Sequence, residues 1–406
     1  MKNEFDTPVT LEYATELLQS RVRRIDDSEK LPLRELSGRT LAGDVCALHD
    51  QPPFPRSPLD GYAVRAADTA GACRNDPITL RVIAEVDAGG TFEGAVGEGE
   101  AVRIMTGAPI PEDCDAVIGQ EDTDYGESTV NVYISVAPYE NYCRQGEDYR
   151  RGDILLPDRT HIGPVETGII GSLGIAEADV YRKPRVLLMS TGDELVMPGS
   201  ELTPGKIYDS NLFTFEAMLR DWGAEVVAAT HSSDDPEDAV EKITRYAESV
   251  DLIITTGGVS VGKKDIMHDV FRIMDVERIF WKIAMKPGMA MLSGIREGKL
   301  YLALSGNPYA AFADMHLVVR QVICELTGDD HLQMIRGTAV LADSYKKSSP
   351  ARRFVRAYVQ DGVAHIEGHT GGNGDIASGI GINALLDIPG DSGELRPGDK
   401  VSILYL

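Results

Sequence analysis

The rhythm of apolar and polar positions changes several times along the chain. Between residues 11 and 22, Leu11, Ala14, Leu17, Leu18 and Val22 recur at helical spacing, and Thr10 stands where an N-cap belongs. Residues 50–145 instead hold short β-type runs, such as TLRVIAEV and AVRIM, divided by Pro and Gly turns. This predicts a mostly-β module inserted after the first segment, with the seam back near CRQGEDYRRGD, 143–153. From Pro184 onward apolar runs alternate with helical stretches. RVLLMS (185–190), EVVAAT (225–230), DLIITT (251–256) and YLALS (301–305) read as strands, and 211–223, 236–249 and about 308–327 as helices. Such alternation predicts a parallel, doubly wound sheet. After Gly328 the chain becomes alternating and turn-rich, as in RFVRAYV and KVSILYL, which predicts a small closing β-barrel or sandwich.

The expectation is therefore a multidomain α/β plus β protein. Residues 184–330 form its central doubly wound α/β domain, 50–144 an inserted β-rich domain and 331–406 a C-terminal small β-barrel. The remainder, 1–49 with 145–183, forms a discontinuous N-terminal linker domain. A length of 406 residues suits several domains rather than one. Lys plus Arg number 40 against 64 Asp plus Glu, a net charge of −24. A surface that acidic repels nucleic-acid phosphates and anionic lipid, so neither is expected as a partner. The five cysteines lie far apart with no C-x-x-C pair, which argues for a reducing compartment and against a zinc site. MKNEFDTPVT is acidic and polar, unlike a signal peptide, and no 18-residue apolar run exists; a cytoplasmic location is expected.

The candidate chemistry gathers where the strands end. STGDE (190–194) follows the first strand, HSSDDP (231–236) the second, GGVSVGKKD (257–265) the third and SGNP (305–308) the last. In a parallel α/β sheet ligands bind beyond the carboxyl ends of the strands. One such loop is ordinary turn chemistry; four on one edge predict a binding cleft. GGVSVGKK nearly completes a phosphate-gripping P-loop, with Lys264 where a magnesium-binding Ser or Thr belongs. Gly257, Gly258 and Gly262 permit close approach of backbone to phosphate. Glu194, Asp234, Asp235 and Asp265 offer hard oxygen ligands suited to Mg²⁺, with Asp265 able to replace the missing hydroxyl. Each of these carboxylates alone is more commonly a helix cap. Lys263, Lys264, Lys282 and Lys286 oppose the acidic set and predict an anionic ligand.

The motifs SPLDGYAVRAAD (57–68), RIMTGAPIPEDCDAVI (103–118), RQGEDYRRGD (144–153), STGDELV (190–196), TTGGVSVGKKD (255–265), KPG (286–288) and SGNP (305–308) occur in the order of one family. From about residue 8 to the C-terminus the chain resembles the molybdopterin molybdenumtransferase family (MoeA), whose animal relative is the gephyrin C-terminal domain. The resemblance implies insertion of molybdate into adenylylated molybdopterin with release of AMP, dependent on Mg²⁺. It implies a homodimer whose site is shared between the α/β domain of one chain and the inserted domain of the other. Asp60, Thr106, Asp148, Glu194, Asp235 and Asp265 then carry the catalytic roles, with Glu194, Asp235 and Asp265 as metal ligands. Gly257, Gly258, Ser260, Gly262, Lys282, Lys286, Ser305 and Pro308 bind substrate. The implied partners are a molybdopterin adenylyltransferase upstream and molybdoenzyme recipients downstream.

Two positions depart from the commoner family pattern. Met289 and Ala290 follow KPG where many relatives have Lys-Pro, and Ser305 replaces a proline. The first predicts a less basic oxyanion pocket, the second a looser last loop; neither removes a carboxylate, so an active enzyme is expected. Two other readings stand beside it: an adenylyltransferase built on the α/β domain, and a non-catalytic scaffold or cofactor store. The DGYAV and TGAP segments argue against the first, and retention of Asp60, Glu194 and Asp265 against the second.

Overall fold

The computed structural model describes residues 7–259, 265–347, 349–366 and 374–406. These divide into two compact units, one of Met1–Gly43, Arg159–Thr167 and Glu177–Leu406, the other of Asp44–Asp158 and Gly168–Ala176.

At the centre of the first unit is a six-stranded sheet. In chain order its strands are Arg185–Thr191, Glu225–Ser232, Leu252–Thr256, Glu277–Trp281, Leu292–Arg296 and Lys299–Leu304. In space they lie second, first, third, sixth, fifth, fourth. The four strands read from the sequence are mutually parallel. The fifth runs antiparallel to both its neighbours, an addition to the parallel strands that the sequence did not announce. The reason is local. Arg296 pairs with Lys299 across Glu297 and Gly298, both at positive φ (53° and 76°). Two such residues make a tight hairpin turn, whereas a parallel connection needs a crossover of a dozen or so residues.

The continuous apolar runs are explained by burial on both faces. Val186, Leu188, Leu252, Ile254, Leu300 and Leu302 pack with the helices Leu11–Gln19 and Ser210–Asp221 and with the helical segment that begins at Pro308. Leu187, Met189, Ile253, Tyr301 and Ala303 pack against Pro236–Ala247 and Met267–Ile273 on the other side. Burying each Leu or Ile side chain contributes about 1.5–3 kcal/mol relative to exposure. The first helix is capped as expected, the Thr10 hydroxyl accepting from the Tyr13 amide at 3.2 Å, and it stops at Gln19 rather than Val22.

Five strands of the C-terminal region close into a barrel. Arg352–Gln360 pairs with both Val363–His365 and Ala384–Ile388, and Arg336–Leu341 and Lys400–Tyr405 complete the ring. Ala339, Leu341, Ala357, Leu386, Val401 and Ile403 fill its core. The short strand Met285–Lys286 pairs with Arg352–Arg353, which fastens the KPG loop to the barrel.

The second unit is built on a five-stranded sheet in the spatial order Ala116–Gly119, Gly61–Val64, Glu100–Ile104, Cys73–Val86, Thr129–Ile134. Alternate residues serve opposite faces: Tyr62, Val64 and Ile118 lie in one apolar cluster, Ala63 and Val117 in another. Gly61 admits no side chain, because a Cβ there would meet the Ile118 carbonyl oxygen at 2.0 Å. The unit extends past 50–144 by the pairing of Val45–Cys46 with Ile154–Leu156. Among the described residues no helix is long and apolar enough to cross a membrane.

Candidate active site

The parallel strands of the central sheet end on one edge, and the direction of chain travel reverses between Arg185–Thr191 and Leu252–Thr256. That switch point is where an open α/β sheet leaves a crevice. A cleft of about 340 Å³ lies there. Glu194, Asp234, Gly257, Gly258, Asp265, Ser305 and Pro308 line it, so seven residues singled out in the sequence come together. Ser260, Gly262, Lys263 and Lys264 lie outside the described residues.

Backbone contacts fix the cleft. The Gly257 amide donates to the Leu304 carbonyl at 3.1 Å, and the Met267 amide to the Gly258 carbonyl at 3.0 Å. Gly257 has φ of 93°, and a Cβ there would meet the Thr191 carbonyl at 2.5 Å, while one on Gly306 would lie 3.2 Å from the Gly257 Cα. Glycine is required for three strand exits to pack this closely. The Asp234 amide donates to Asp193 Oδ1 at 3.1 Å, joining the first and second exits. Asn211 Nδ2 donates to the Gly306 carbonyl at 2.9 Å, and the Asn307 amide to Ser305 Oγ at 3.2 Å. Ser305 therefore holds the last loop that the missing proline was expected to loosen.

The two aspartates of HSSDDP divide their roles. Asp234 lines the cleft. Asp235 is the N-cap of Pro236–Ala247, its side chain accepting from the Glu237 amide at 3.0 Å, and it does not line the cleft. Asp238, one turn on, accepts from Lys242 Nζ at 2.8 Å and from the Ser233 amide at 2.9 Å. The lysine bond, followed by the serine bonds, holds its carboxyl well below the usual range.

Asp209 went unremarked in the sequence. It is 2% exposed, lines the cleft, accepts from the Ser190 hydroxyl and caps Ser210–Asp221 through the Leu212 amide at 3.0 Å. The Asp-Ser-Asn start of that helix was the available signal. Among the described residues no Lys or Arg lines this cleft, and no set of three His, Cys, Asp or Glu side chains could hold a metal ion by itself.

A second cavity, of about 760 Å³, shares Ser305 with the cleft and has the opposite chemistry. Lys286, Lys346, Lys347, Arg353 and Arg356 line it, with no carboxylate among its described walls. Met289 also lines it, and the pocket is strongly basic beside that residue, against the expectation of a less basic one. Lys286 was marked by its KPG motif; the other four cations come from the C-terminal region, and nothing in their spacing announced them. Lys282 lines neither cavity; at φ of 79° its Nζ sits 3.7 Å from the centre of the Trp281 ring.

In the second unit, Asp60 and Thr106 form a close pair. The Thr106 amide and hydroxyl both donate to Asp60 Oδ1, at 2.7 and 2.8 Å. The amide first, then the hydroxyl, holds this exposed carboxyl below its ordinary range. Asp148 is exposed in the turn after Arg144, its amide bonded to the Gln51 carbonyl at 2.9 Å.

Three family models tile the chain: the MoeA N-terminal region (domain I and II) over residues 9–174, the probable molybdopterin binding domain over 187–324 and the MoeA C-terminal region (domain IV) over 338–406. The molybdopterin molybdenumtransferase of Staphylococcus epidermidis is 31% identical, with 100% of this chain and 97% of that protein covered. The enzyme of the same name from Bacillus subtilis is 33% identical over 98% of this chain and 94% of its own. The crystal structure of the molybdopterin biosynthesis moeA protein from Pyrococcus horikoshii OT3 matches with a TM-score of 0.87 at 31% identity, covering 98% of this chain and 100% of the other. A switch-point cleft, a β-rich unit carrying the Asp60–Thr106 pair, a closing barrel and full-length similarity agree: the chain belongs to the molybdopterin molybdenumtransferase (MoeA) family, enzymes of molybdenum cofactor biosynthesis.

Proposed function

We propose that this protein transfers molybdenum from molybdate into adenylylated molybdopterin, releasing AMP in a Mg²⁺-dependent reaction. The observation that carries the reading is the pair of opposed cavities meeting at Ser305, one lined by carboxylates and one by cations. A pyrophosphate substrate belongs in the first, where Gly257 and Gly258 let the chain approach phosphate. The residues present suit the implied metal. Glu194, Asp234 and Asp265 offer hard oxygens, and with no three-carboxylate set among the described residues, phosphate oxygens and water would complete the shell, as Mg²⁺ favours. An ion held by these residues would supply charge neutralisation for the pyrophosphate. Asp235 keeps the neighbouring helix end in place through its cap.

The basic pocket concentrates a small dianion, with Lys286, Arg353 and Arg356 drawing molybdate to the edge of the cleft. The dithiolene sulfurs of the substrate, rather than a protein thiol, receive the metal; among the described residues no cysteine lines either cavity. The protein acts as a cytoplasmic homodimer, Asp60 and Thr106 of one protomer serving the cleft of its partner. An adenylyltransferase supplies its substrate and molybdoenzymes take its product.

The test is incubation of the purified protein with adenylylated molybdopterin, Mg²⁺ and molybdate. AMP release that needs both ions is expected. Release indifferent to molybdate, or none at all, overturns the reading.

A further inference from the structure

A third cavity adjoins both of these. It is a slot of about 170 Å³ between the helices Ser210–Asp221 and Pro308–Asp314 and the barrel segment 375–380. It shares Asn211 and Pro308 with the carboxylate cleft, and Tyr309 and Arg356 with the basic pocket. Its volume is below the ~300–1,000 Å³ typical of whole-ligand pockets, so it suits one part of a ligand that continues next door.

The walls have a definite character. Phe215, Tyr309 and Phe312 supply aromatic surface, Tyr309 and Phe312 lying stacked with centroids 6.4 Å apart. Arg356 lies over the other side of this wall, 3.7 Å from the Tyr309 ring centre, and donates to the Asp375 carbonyl at 2.7 Å. The rim carries Ile376 and Ile380, 49% and 78% exposed. Among the described residues Asp375 is the one carboxylate of the slot. Among the described residues its side chain has a single hydrogen bond, a long one of 3.4 Å from the Ser378 amide to Oδ1.

We propose that this slot binds the pterin ring of the substrate, with Asp375 reading the ring's 2-amino-4-oxo edge. The inference rests on the transferase reading for the identity of the substrate. Flat apolar walls fit a planar heterocycle of that size. The decisive group is the carboxylate. A pterin presents two adjacent N–H donors on this edge, which match two carboxylate oxygens as a guanidinium fork does. Adenine presents one amino donor beside a ring acceptor and would set that acceptor against the carboxylate. The slot therefore selects the pterin half of the substrate over the adenylyl half. Continuity agrees: the dithiolene joins the pterin to the phosphates, and this slot touches both the phosphate cleft and the oxyanion pocket.

The test titrates the full-length protein with neopterin, followed by pterin fluorescence, with adenosine and guanosine as competitors. Neopterin is expected to bind, guanosine (which carries the same edge) to compete and adenosine not to. Asp375→Asn should weaken neopterin about tenfold or more, since it replaces a charged acceptor pair by a mismatched amide. Phe312→Ala should weaken it as well, and neither change should alter AMP affinity. An Asp375→Asn variant that keeps wild-type neopterin affinity, effective competition by adenosine, or no neopterin binding to the wild type each overturns the assignment. AMP release by the wild type is measured in parallel. If it occurs while the neopterin result fails, the slot assignment falls alone; if neopterin behaves as expected and no AMP is released, the transferase reading falls alone.

Discussion

Asp265 follows the glycine loop directly and lines the cleft beside Glu194 and Asp234. Asp265→Asn keeps size and shape while removing one charge from a site that must gather a cation around phosphate. AMP release is expected to disappear while the thermal midpoint stays within a few degrees, because no core packing changes. Calorimetry beside the AMP assay checks both halves, and retained activity would remove Asp265 from the mechanism. Met289 is 42% exposed and stands on the wall of the basic pocket. Met289→Lys would add a further cation to the five among the described residues. The apparent KM for molybdate should fall with kcat nearly unchanged, as for a contact made equally in ground and transition states. An unchanged KM would show that anion capture does not depend on this wall.

At the scale of the element, the segment from Pro308 to Thr327 is the informative one. The sequence reads as a single helix; the structure divides it into Pro308–Asp314, a π-helical turn at Met315–Val319 and Arg320–Thr327. Two buried titratable groups sit at the first join. Asp314 is fully buried and, among the described residues, neither carboxyl oxygen has a hydrogen-bond partner, so desolvation drives its pKa well above the usual value, with the Ser305 backbone pulling the other way. His316 is pushed down to about 3 by burial, with the Arg320 charge adding to the effect. For Asp314 the folded state holds a proton that the unfolded state releases above about pH 3.9. Its contribution is therefore full below that pH and is lost as pH rises toward the raised folded value. His316 acts oppositely, losing its contribution as pH falls from about 6.5 toward its folded value. Asp314→Asn removes the first slope and leaves the second. Thermal midpoints of wild type and Asp314→Asn, measured from pH 4 upward, should diverge in favour of the variant as pH increases. Parallel curves would mean that Asp314 is ionised in the folded protein.

For the whole molecule, the open matter is which chains contribute to one site. Asp60 lies in one compact unit and Asp265 in the other. In the proposed dimer each site takes Asp60 from one protomer and Asp265 from its partner. Asp60→Asn and Asp265→Asn homodimers should both be nearly inactive. Random exchange between them makes about half the dimers mixed, and each mixed dimer has one intact site and one doubly altered site. AMP release should recover to roughly a quarter of the wild-type rate, provided the sites act independently. Absence of recovery, with exchange confirmed by mass, would place both residues in one chain's site or separate them altogether.

What the sequence determined by itself is what is encoded locally. The apolar runs at 185–190, 225–230, 251–256 and 301–305 specified strands because both sheet faces are buried. Thr10 specified a cap, and the order of the motifs specified the family. Glycines at strand exits marked the cleft, since close backbone approach tolerates nothing larger, as Gly257 and Gly306 illustrate. Tertiary structure decided the rest. The antiparallel edge depends on a two-residue turn at Glu297–Gly298 inside an otherwise ordinary apolar stretch. Asp235 and Asp234 are neighbours in sequence, yet a helix begins at the residue after them, so one side chain caps and the other lines the cleft. The basic pocket exists because Met285–Lys286 pairs with Arg352–Arg353, bringing distant cations to one wall. Charges gathered by strand pairing across a long separation leave no period in the sequence, and only the folded chain reveals which of them share a site.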